Sequence, residues 1–298
     1  MVVQERTIFE GLECIQIKNE NLSIWITVSV GPRIIGLVFN GSDNFMAVLP
    51  DAKIPVEGRS DYSLRGGHRL WYAPENPMTT YLTDDKPVEY EPIQNGLKVR
   101  QPVDQKTGIQ KSWQVKLANE KAQVEIQHEL INLGENEFEL APWAVTMLRP
   151  GGIGIIPLKK DFDDEHGLHP NRQLILWPYS KIDSPHLEII DEAIAVKGNM
   201  VEGAIKIGSP NPTGWIAYSY KGSVFIKKAT YKAQEYYLDR GASSQIYCNP
   251  TVIELETLGP VVNLKPGEKV IHVENWEVFS EGNWPGDVLN IFNSFSKP

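Results

Sequence analysis

The chain has 298 residues, enough to bury a large apolar core, and its 38 acidic against 29 basic residues give a formal charge of −9. This acidic balance argues against nucleic acid as a partner, because binding phosphates requires clustered cations. The start lacks the apolar core of a signal peptide, and no run approaches the ~20 apolar residues that span a membrane. We therefore expect a cytoplasmic protein with no membrane partner, in which Cys14 and Cys248 are buried thiols.

Strand-like segments follow one another along most of the chain. Apolar and polar residues alternate in segments such as "LSIWITVSV", "QVEIQHELINL" and "KVIHVENWEVF". Glycine, proline and asparagine separate these segments and supply the backbone angles that turns require. The pattern predicts an all-β fold of antiparallel sheets. Because there is no linker and no repeat of fixed period, we expect residues 1–298 to form a single domain.

The segment "RGGHRLWYAPE", residues 65–75, combines two glycines with cationic and aromatic residues. Strand alternation places His68 and Leu70 on one face and Arg69 and Trp71 on the other. An arginine beside an indole suits a sugar ring, which stacks its C–H face on the aromatic and offers its hydroxyls to the guanidinium. In the alternative interpretation, Trp71 belongs to the core and the Arg69 stem covers it.

The segment 161–185 is the least regular part of the chain, and we expect a long loop there. His169, Asn171 and Arg172 are candidate saccharide contacts from this loop. His166 and His169 could suggest a metal site, but their three-residue spacing places them on one face only in a helix. Gly167 and the proline at 170 indicate a loop instead, so no metal is expected.

Two acidic residues share one face of a late strand in "TVIELETLGP". Glu254 and Glu256 lie roughly 7 Å apart, at about 3.3 Å per residue, opposite Ile253 and Leu255. Two neighbouring carboxylates raise each other's pKa, which is what a general base at neutral pH needs. The alternative is a solvated face whose acids serve solubility. Near the end, "GDVLNIFNSFS" has apolar residues at helical spacing and predicts a short C-terminal helix.

The order and spacing of three motifs resemble the galactose mutarotase-like superfamily, in its aldose 1-epimerase-like branch. These motifs are "GGHRLW", "NLGENEFELAPWAVTMLRPGG" and "IELETLGPVVNLKPGEKVIHVENWEVF". The resemblance covers most of the chain. It implies one large β-supersandwich of antiparallel sheets whose concave face binds a monosaccharide.

The resemblance also implies a reaction that needs no cofactor. A late-strand glutamate takes a proton from the anomeric hydroxyl and a histidine protonates the ring oxygen. The glutamate corresponds to Glu254, or to its neighbour Glu256, and Arg69 falls in the sugar cleft. The family's histidine stretch reads "LAPWAVTML" here, without a histidine, so His68 or His169 would have to replace it.

These observations leave three hypotheses for function. The first is an aldose epimerase or mutarotase acting on a free sugar or sugar derivative, with Glu254 as base, Glu256 in support and His68 or His169 as acid. The second is a carbohydrate-binding protein without catalysis that holds a glycan through Arg69, Trp71 and Arg172. The third is a structural sandwich whose own side chains fill the cleft.

Overall fold

Two large antiparallel sheets dominate the computed structural model, which describes residues 1–161 and 163–295. Within these residues one sheet has twelve strands and the other has ten. The strands of the larger sheet, in pairing order, are β1 (Val3–Phe9), β2 (Leu12–Lys18), β3 (Leu22–Thr27), β4 (Ile34–Phe39), β6 (Tyr62–Ala73), β11 (Phe138–Leu148), β20 (Val252–Leu258), β19 (Ser244–Asn249), β16 (Ile205–Ser209) and β13 (Ile175–Leu176). In addition, β5 (Val48–Ile54) pairs with β6 and β21 (Val262–Leu264) pairs with β11.

The smaller sheet packs against the larger one. Its strands, in pairing order, are β14 (Leu187–Ile190), β15 (Ala193–Lys197), β12 (Ile153–Pro157), β17 (Trp215–Tyr220), β18 (Ser223–Ala229), β22 (Lys269–Phe279), β10 (Gln123–Asn132), β9 (Ile109–Leu117), β8 (Gly96–Arg100) and β7 (Glu89–Ile93). Two short helical segments complete the fold, α1 (Leu238–Gly241) and α2 (Gly286–Phe295). No helix in the described residues has the length and apolarity needed to cross a membrane.

The period-two pattern of the sequence is reproduced in the structure. In β10, Val124, Ile126, His128 and Leu130 are buried, whereas the residues between them are half-buried or exposed. The buried sets of both sheets meet in one apolar core between the sheets. The all-β prediction is therefore confirmed.

A second apolar cluster lies on the outer face of the larger sheet. Trp71 of β6, Trp143 of β11 and Val252 of β20 belong to it, whereas Leu70, Ala144 and Ile253 of the same strands belong to the core between the sheets. Each of these three strands therefore has one face in the core and another that is available to a site.

The C-terminal helix α2 covers part of the outer face of the smaller sheet. Val288 and Phe292 are buried there, and the Phe292 and Trp215 ring centroids lie 3.5 Å apart. The prediction of a short helix that docks through its apolar side is confirmed. The irregular segment 161–185 is also as expected, because β13 is the only strand among its described residues.

Candidate active site

A cleft of about 370 Å³ lies on the outer face of the larger sheet, where β6, β11, β20, β19 and β16 run side by side. Five aromatic side chains line it: Trp71, Tyr81, Trp143, Tyr179 and Tyr247. Four charged side chains line it as well: Arg69, Glu75, Lys206 and Glu254. Aromatic walls with a few polar groups are typical of a pocket for a small organic ligand.

Arg69 and Trp71 reach the cleft because β6 crosses the sheet centre after a glycine pair. Gly66 and Gly67 have φ values of +80° and +68°, and a Cβ atom at either would lie within 2.4 Å of a neighbouring backbone oxygen. After this close approach, alternation directs Arg69 and Trp71 to the outer face. The Arg69 guanidinium carbon lies 3.9 Å from the Trp71 ring centroid, in cation–π contact.

Glu254 faces Arg69 across the cleft. Its Oε1 atom lies 3.6 Å from Arg69 Nη2, and only 8% of the residue is exposed. Burial raises the pKa of the Glu254 carboxyl to about 7, with Arg69 opposing and Glu256 adding to the shift. A carboxyl group that titrates near neutral pH can accept a proton from a bound ligand and return it.

Glu256 lies beneath the cleft and does not line it. Its Oε2 atom accepts hydrogen bonds from Lys206 Nζ at 2.9 Å and from Trp143 Nε1 at 2.7 Å. Burial lowers the pKa of Lys206, but the Glu256 carboxylate outweighs this effect and leaves the pKa raised. The Lys206 Nζ atom also lies 5.0 Å from the Trp143 ring centroid. Lys206 therefore presents a buried ammonium group to the cleft.

Of the residues predicted from the sequence, the structure brings Arg69, Trp71 and Glu254 to one cleft and places Glu256 just below it. The shared face of Glu254 and Glu256 is confirmed, because both alternate with Ile253 and Leu255 of the core. The two carboxylates differ in environment, since Glu256 has an ion-pair partner at 2.9 Å and Glu254 has one at 3.6 Å.

His68 does not lie in the cleft. It points between the sheets and has no exposed surface, because it alternates with Arg69 along β6. Its Nε2 atom lies 2.7 Å from His128 Nε2, and its Nδ1 atom lies 2.9 Å from the Thr146 hydroxyl. Burial lowers the pKa of His68 well below its usual value. A catalytic acid at this position would have no contact with a ligand in the cleft.

The hydrogen-bond partners of His68 and His128 determine which ring nitrogen of each residue carries the proton. His128 Nδ1 donates to the His272 carbonyl oxygen, so the neutral ring accepts at Nε2 from His68 Nε2–H. His68 Nδ1 then accepts from Thr146, whose oxygen accepts from Lys227 Nζ at 2.8 Å. Burial lowers the pKa of His128 to about 4, which keeps this ring neutral.

His68, His128 and Glu274 have the ligand types of a metal site, with their donor atoms within 4.8 Å of one another. The donor set is already satisfied, however. Glu274 accepts from Lys227 Nζ at 2.9 Å and from Trp276 Nε1 at 2.8 Å, and the Lys227 charge holds the pKa of Glu274 low despite burial. A divalent cation would have to displace the ammonium group, so these residues do not fit a metal.

The loop residues predicted as saccharide contacts lie outside the cleft. Arg172 Nε donates to the Lys159 carbonyl oxygen at 3.0 Å, and Asn171 Nδ2 donates to the Asp161 carbonyl oxygen at 2.6 Å. His169 is exposed, and its backbone N–H donates to Asp164. These local bonds hold the loop to itself and to the strand end before it, so the structure does not bring the three residues to Glu254.

Sequence reasoning missed Lys206 and Tyr179 as cleft residues. Lys206 had a usable signal, because it stands between apolar residues in "AIKIG", where a buried cation requires a buried partner. Tyr179 lies in the irregular segment, and its sequence neighbours carry no comparable signal. Glu75, the last residue of the segment "RGGHRLWYAPE", also lines the cleft and was not among the predicted site residues.

A larger groove of about 790 Å³ lies over the outer face of the smaller sheet. Polar strand residues such as Gln114, Lys116, Glu125 and Asn275 line it, and the one tryptophan beside it, Trp276, is buried with its ring in the core. This groove lacks the buried ionisable groups of the cleft, so the cleft is the better candidate for an active site.

The comparisons with known proteins support the fold through similarity to solved structures and not through similarity of sequence. No protein-family model and no curated protein sequence matches the chain. A candidate aldose 1-epimerase from Klebsiella pneumoniae superposes with a TM-score of 0.64 at 10% identity, covering 99% of this chain and 86% of that one. A candidate mutarotase from Salmonella typhimurium gives a TM-score of 0.58 at 11% identity and covers 94% of both chains.

A third solved structure is a TPR-domain protein from Parabacteroides distasonis, with a TM-score of 0.62 and 15% identity. The match covers 91% of this chain and 48% of that protein, so the chain spans about half its length. At these identities the similarity concerns architecture. The chain has the galactose mutarotase-like fold, with two large antiparallel sheets and a short C-terminal helix.

Proposed function

We propose that the cleft binds a saccharide and interconverts its two anomers. The observation that carries the proposal is Glu254, a buried carboxyl with a pKa of about 7, in a cleft walled by tryptophan and tyrosine. The cleft volume of about 370 Å³ falls within the range of about 300–1,000 Å³ for small-ligand pockets. Two of the structures similar in fold are described as a candidate aldose 1-epimerase and a candidate mutarotase, names that belong to this reaction class.

The proposed reaction consists of two proton transfers. Glu254 takes the proton of the anomeric hydroxyl, whose oxygen forms the carbonyl as the bond between the anomeric carbon and the ring oxygen breaks. Lys206 gives a proton to the ring oxygen, which keeps the electron pair of the broken bond. Rotation of the carbonyl and reversal of both transfers close the ring on the other face, so no cofactor is consumed.

Lys206 has the place that the sequence analysis assigned to His68 or His169. It lines the cleft and carries a proton, because Glu256 raises its pKa. Arg69 is a positioning residue in this scheme, since its guanidinium lies 3.6 Å from Glu254 and stacks on Trp71. We also propose that the protein resides in the reducing cytosol. Its two cysteines, Cys14 and Cys248, are buried and form no disulfide.

The test is magnetisation exchange between the α and β anomer signals of a panel of aldoses. The native protein accelerates exchange for at least one sugar, and Glu254→Gln lowers the rate about 10²-fold or more. The matched control is Glu91→Gln, which alters an exposed glutamate of β7 and leaves the rate unchanged. If sugars bind to the protein but it accelerates anomer exchange for none of them, the proposed isomerase activity is refuted.

A carbohydrate-binding protein without catalysis is the second candidate. The observation in its favour is that none of the six histidines, all within the described residues, lines the cleft. Saccharide binding that quenches tryptophan fluorescence, is lost in Trp71→Ala and brings no exchange would select this candidate.

A further inference from the structure

Aliphatic side chains form one part of the cleft wall, which we call the aliphatic end. They come from β5, the first half of β6, the end of β11 and the start of β20: Leu49, Ala52, Ile54, Leu64, Met147 and Val252. The first four are half-buried, so they present apolar surface to the cleft. A hydroxyl group placed against this surface loses its water without gaining a partner.

The polar residues beside the aliphatic end already bond to each other. The Thr251 hydroxyl donates to Asn249 Oδ1 at 2.9 Å, and Asn249 Nδ2 donates to the Tyr247 hydroxyl at 3.2 Å. They therefore do not compensate for the apolar surface.

Strand register fixes where the aliphatic end lies relative to the ionisable groups. Lys206 of β16 pairs with Tyr247 of β19, which pairs with Glu254 of β20. On its other side, Glu254 pairs with Met147 of β11, and β6 with β5 follows β11 in the sheet. Neighbouring strands are about 4.8 Å apart. Glu254 therefore stands between the Lys206 ammonium group and the aliphatic end.

This order gives the sugar ring a direction, and the step rests on the function proposed above. The anomeric carbon has two ring neighbours, the ring oxygen and C2, which leave it in different directions. If Glu254 takes the anomeric proton and Lys206 protonates the ring oxygen, the ring oxygen is directed to Lys206. C2 is then directed to Met147 and the aliphatic end.

Arg69 offers a hydrogen-bond donor on the same side of Glu254, because β6 lies beyond β11. Its Nη2 atom is 3.6 Å from Glu254 Oε1, too far for a hydrogen bond. Its Nε and Nη1 atoms also have no acceptor among the described residues. The carbonyl oxygen of an amide on C2 can accept from Nη2.

We propose that the cleft is built for 2-acylamino sugars, the class of the N-acetylhexosamines. The acyl methyl group contacts the aliphatic end, and the acyl carbonyl oxygen accepts from Arg69. A hydroxyl group on C2 would face six aliphatic residues, and a 2-deoxy sugar would leave their surface without contact. An acylamino group supplies both the apolar atoms and the acceptor.

Binding to the full chain, followed by tryptophan fluorescence, is the first experiment. The probes are N-acetylglucosamine, N-acetylgalactosamine and N-acetylmannosamine, each compared with its parent hexose. At least one N-acetyl sugar binds about tenfold or more tightly than its parent, as expected for a buried methyl group and one more hydrogen bond. Equal affinities overturn the proposal. An equal or larger gain with 2-deoxyglucose or 6-deoxyglucose also overturns it, because loss of a hydroxyl would then be sufficient.

Substitutions at the aliphatic end are the second experiment. Leu64→Ser and Ile54→Ser each lower the affinity ratio of N-acetyl sugar to parent about threefold or more, because apolar contacts are lost. The ratio is measured because a general loss of binding affects both sugars alike. The control, Leu133→Ser, alters a leucine that is 48% exposed and does not line the cleft, and it keeps the native ratio. An unchanged ratio in both folded variants would refute the acyl site.

Anomer exchange separates this inference from the proposed function. Exchange on free hexoses without any N-acetyl preference refutes the substrate class and leaves the isomerase intact. N-acetyl preference that brings no exchange confirms the ligand class and refutes the isomerase.

Discussion

His68 and Arg69 are neighbours in the chain but lie on opposite sides of β6. The His68 ring lies between the sheets, 2.7 Å from His128 Nε2. The Arg69 guanidinium lies on the outer face, 3.6 Å from Glu254. The two residues therefore belong to different environments, and substitutions at them have different readouts.

Substitution of His68 tests whether this histidine takes part in proton transfer. In His68→Gln we expect the free energy of unfolding to fall by about 1–3 kcal/mol, because buried hydrogen bonds to Thr146 and His128 are lost. The pH midpoint of anomer exchange stays at its native value, because the ring does not reach the cleft. Denaturant titration and exchange spectroscopy on the same sample measure both quantities. A shifted midpoint in a folded variant would restore His68 as the acid.

The pH dependence of the rate follows from Glu254. A base must be unprotonated to accept the anomeric proton, and the pKa of this carboxyl is raised to about 7. The exchange rate therefore rises with pH through a midpoint near 7 and levels off above it. Rates measured from pH 5 to 9 at constant ionic strength check this. A midpoint near 4.5, the usual value for glutamate, would show that another group is the base.

Ionisation of Glu254 has the opposite effect on stability: it lowers the free energy of unfolding as the pH rises. The folded-state pKa of Glu254 is raised, so its contribution to stability is complete below the unfolded value near 4.5 and is lost as the pH rises through about 7. Glu254→Gln removes this loss. We expect the variant to gain on the order of 3 kcal/mol relative to the native chain between pH 4.5 and pH 8.

Urea unfolding of both proteins at these two pH values measures the gain. Glu91→Gln serves again as control, because its exposed side chain brings no such pH-dependent difference. Equal pH dependence of the native chain and Glu254→Gln would contradict the raised pKa.

Substitutions of Lys206 and Glu256 separate the effect of this ion pair on stability from the effect of the Lys206 ammonium group on anomer exchange. Lys206→Met leaves the Glu256 carboxylate buried without its cation, which costs about 3–5 kcal/mol of unfolding free energy. The double variant Lys206→Met/Glu256→Gln removes the stranded charge and recovers most of this loss. Because both variants lack the ammonium group, both lose anomer exchange. Denaturation midpoints and exchange rates of the three proteins measure the two effects, and exchange that survives in the double variant would refute a proton donor at Lys206.

The sequence contained most of the information on which face each strand residue occupies. Alternation in "GGHRLW" and "VIELETL" correctly placed Arg69 with Trp71, and Glu254 with Glu256, on one face of their respective strands, and both pairs lie on the outer side of the larger sheet. It worked because these strands have a buried face on each side, so a shift of one residue would place charges in the core. That residues 1–298 form a single domain stays a prediction.

The sequence did not show which strands lie side by side. Lys206 and Glu256 are fifty positions apart and meet because β16, β19 and β20 are adjacent in the sheet. Sheet order depends on long-range pairing, which periodicity does not encode. The same limitation explains the loop candidates: nothing in "HPNR" shows that Arg172 bonds to Lys159 instead of turning to the cleft.

The alternation along β6, β11 and β20 divides each strand by parity. Odd positions of β11, even positions of β20 and the odd positions of β6 that follow Gly67 face outward toward the cleft, and the complementary positions hold the two sheets together. Substitutions at every second position of these strands can therefore change ligand preference while the residues of the core stay the same. Deleting a single codon within one of these strands would exchange the two sets and abolish both folding and recognition at once.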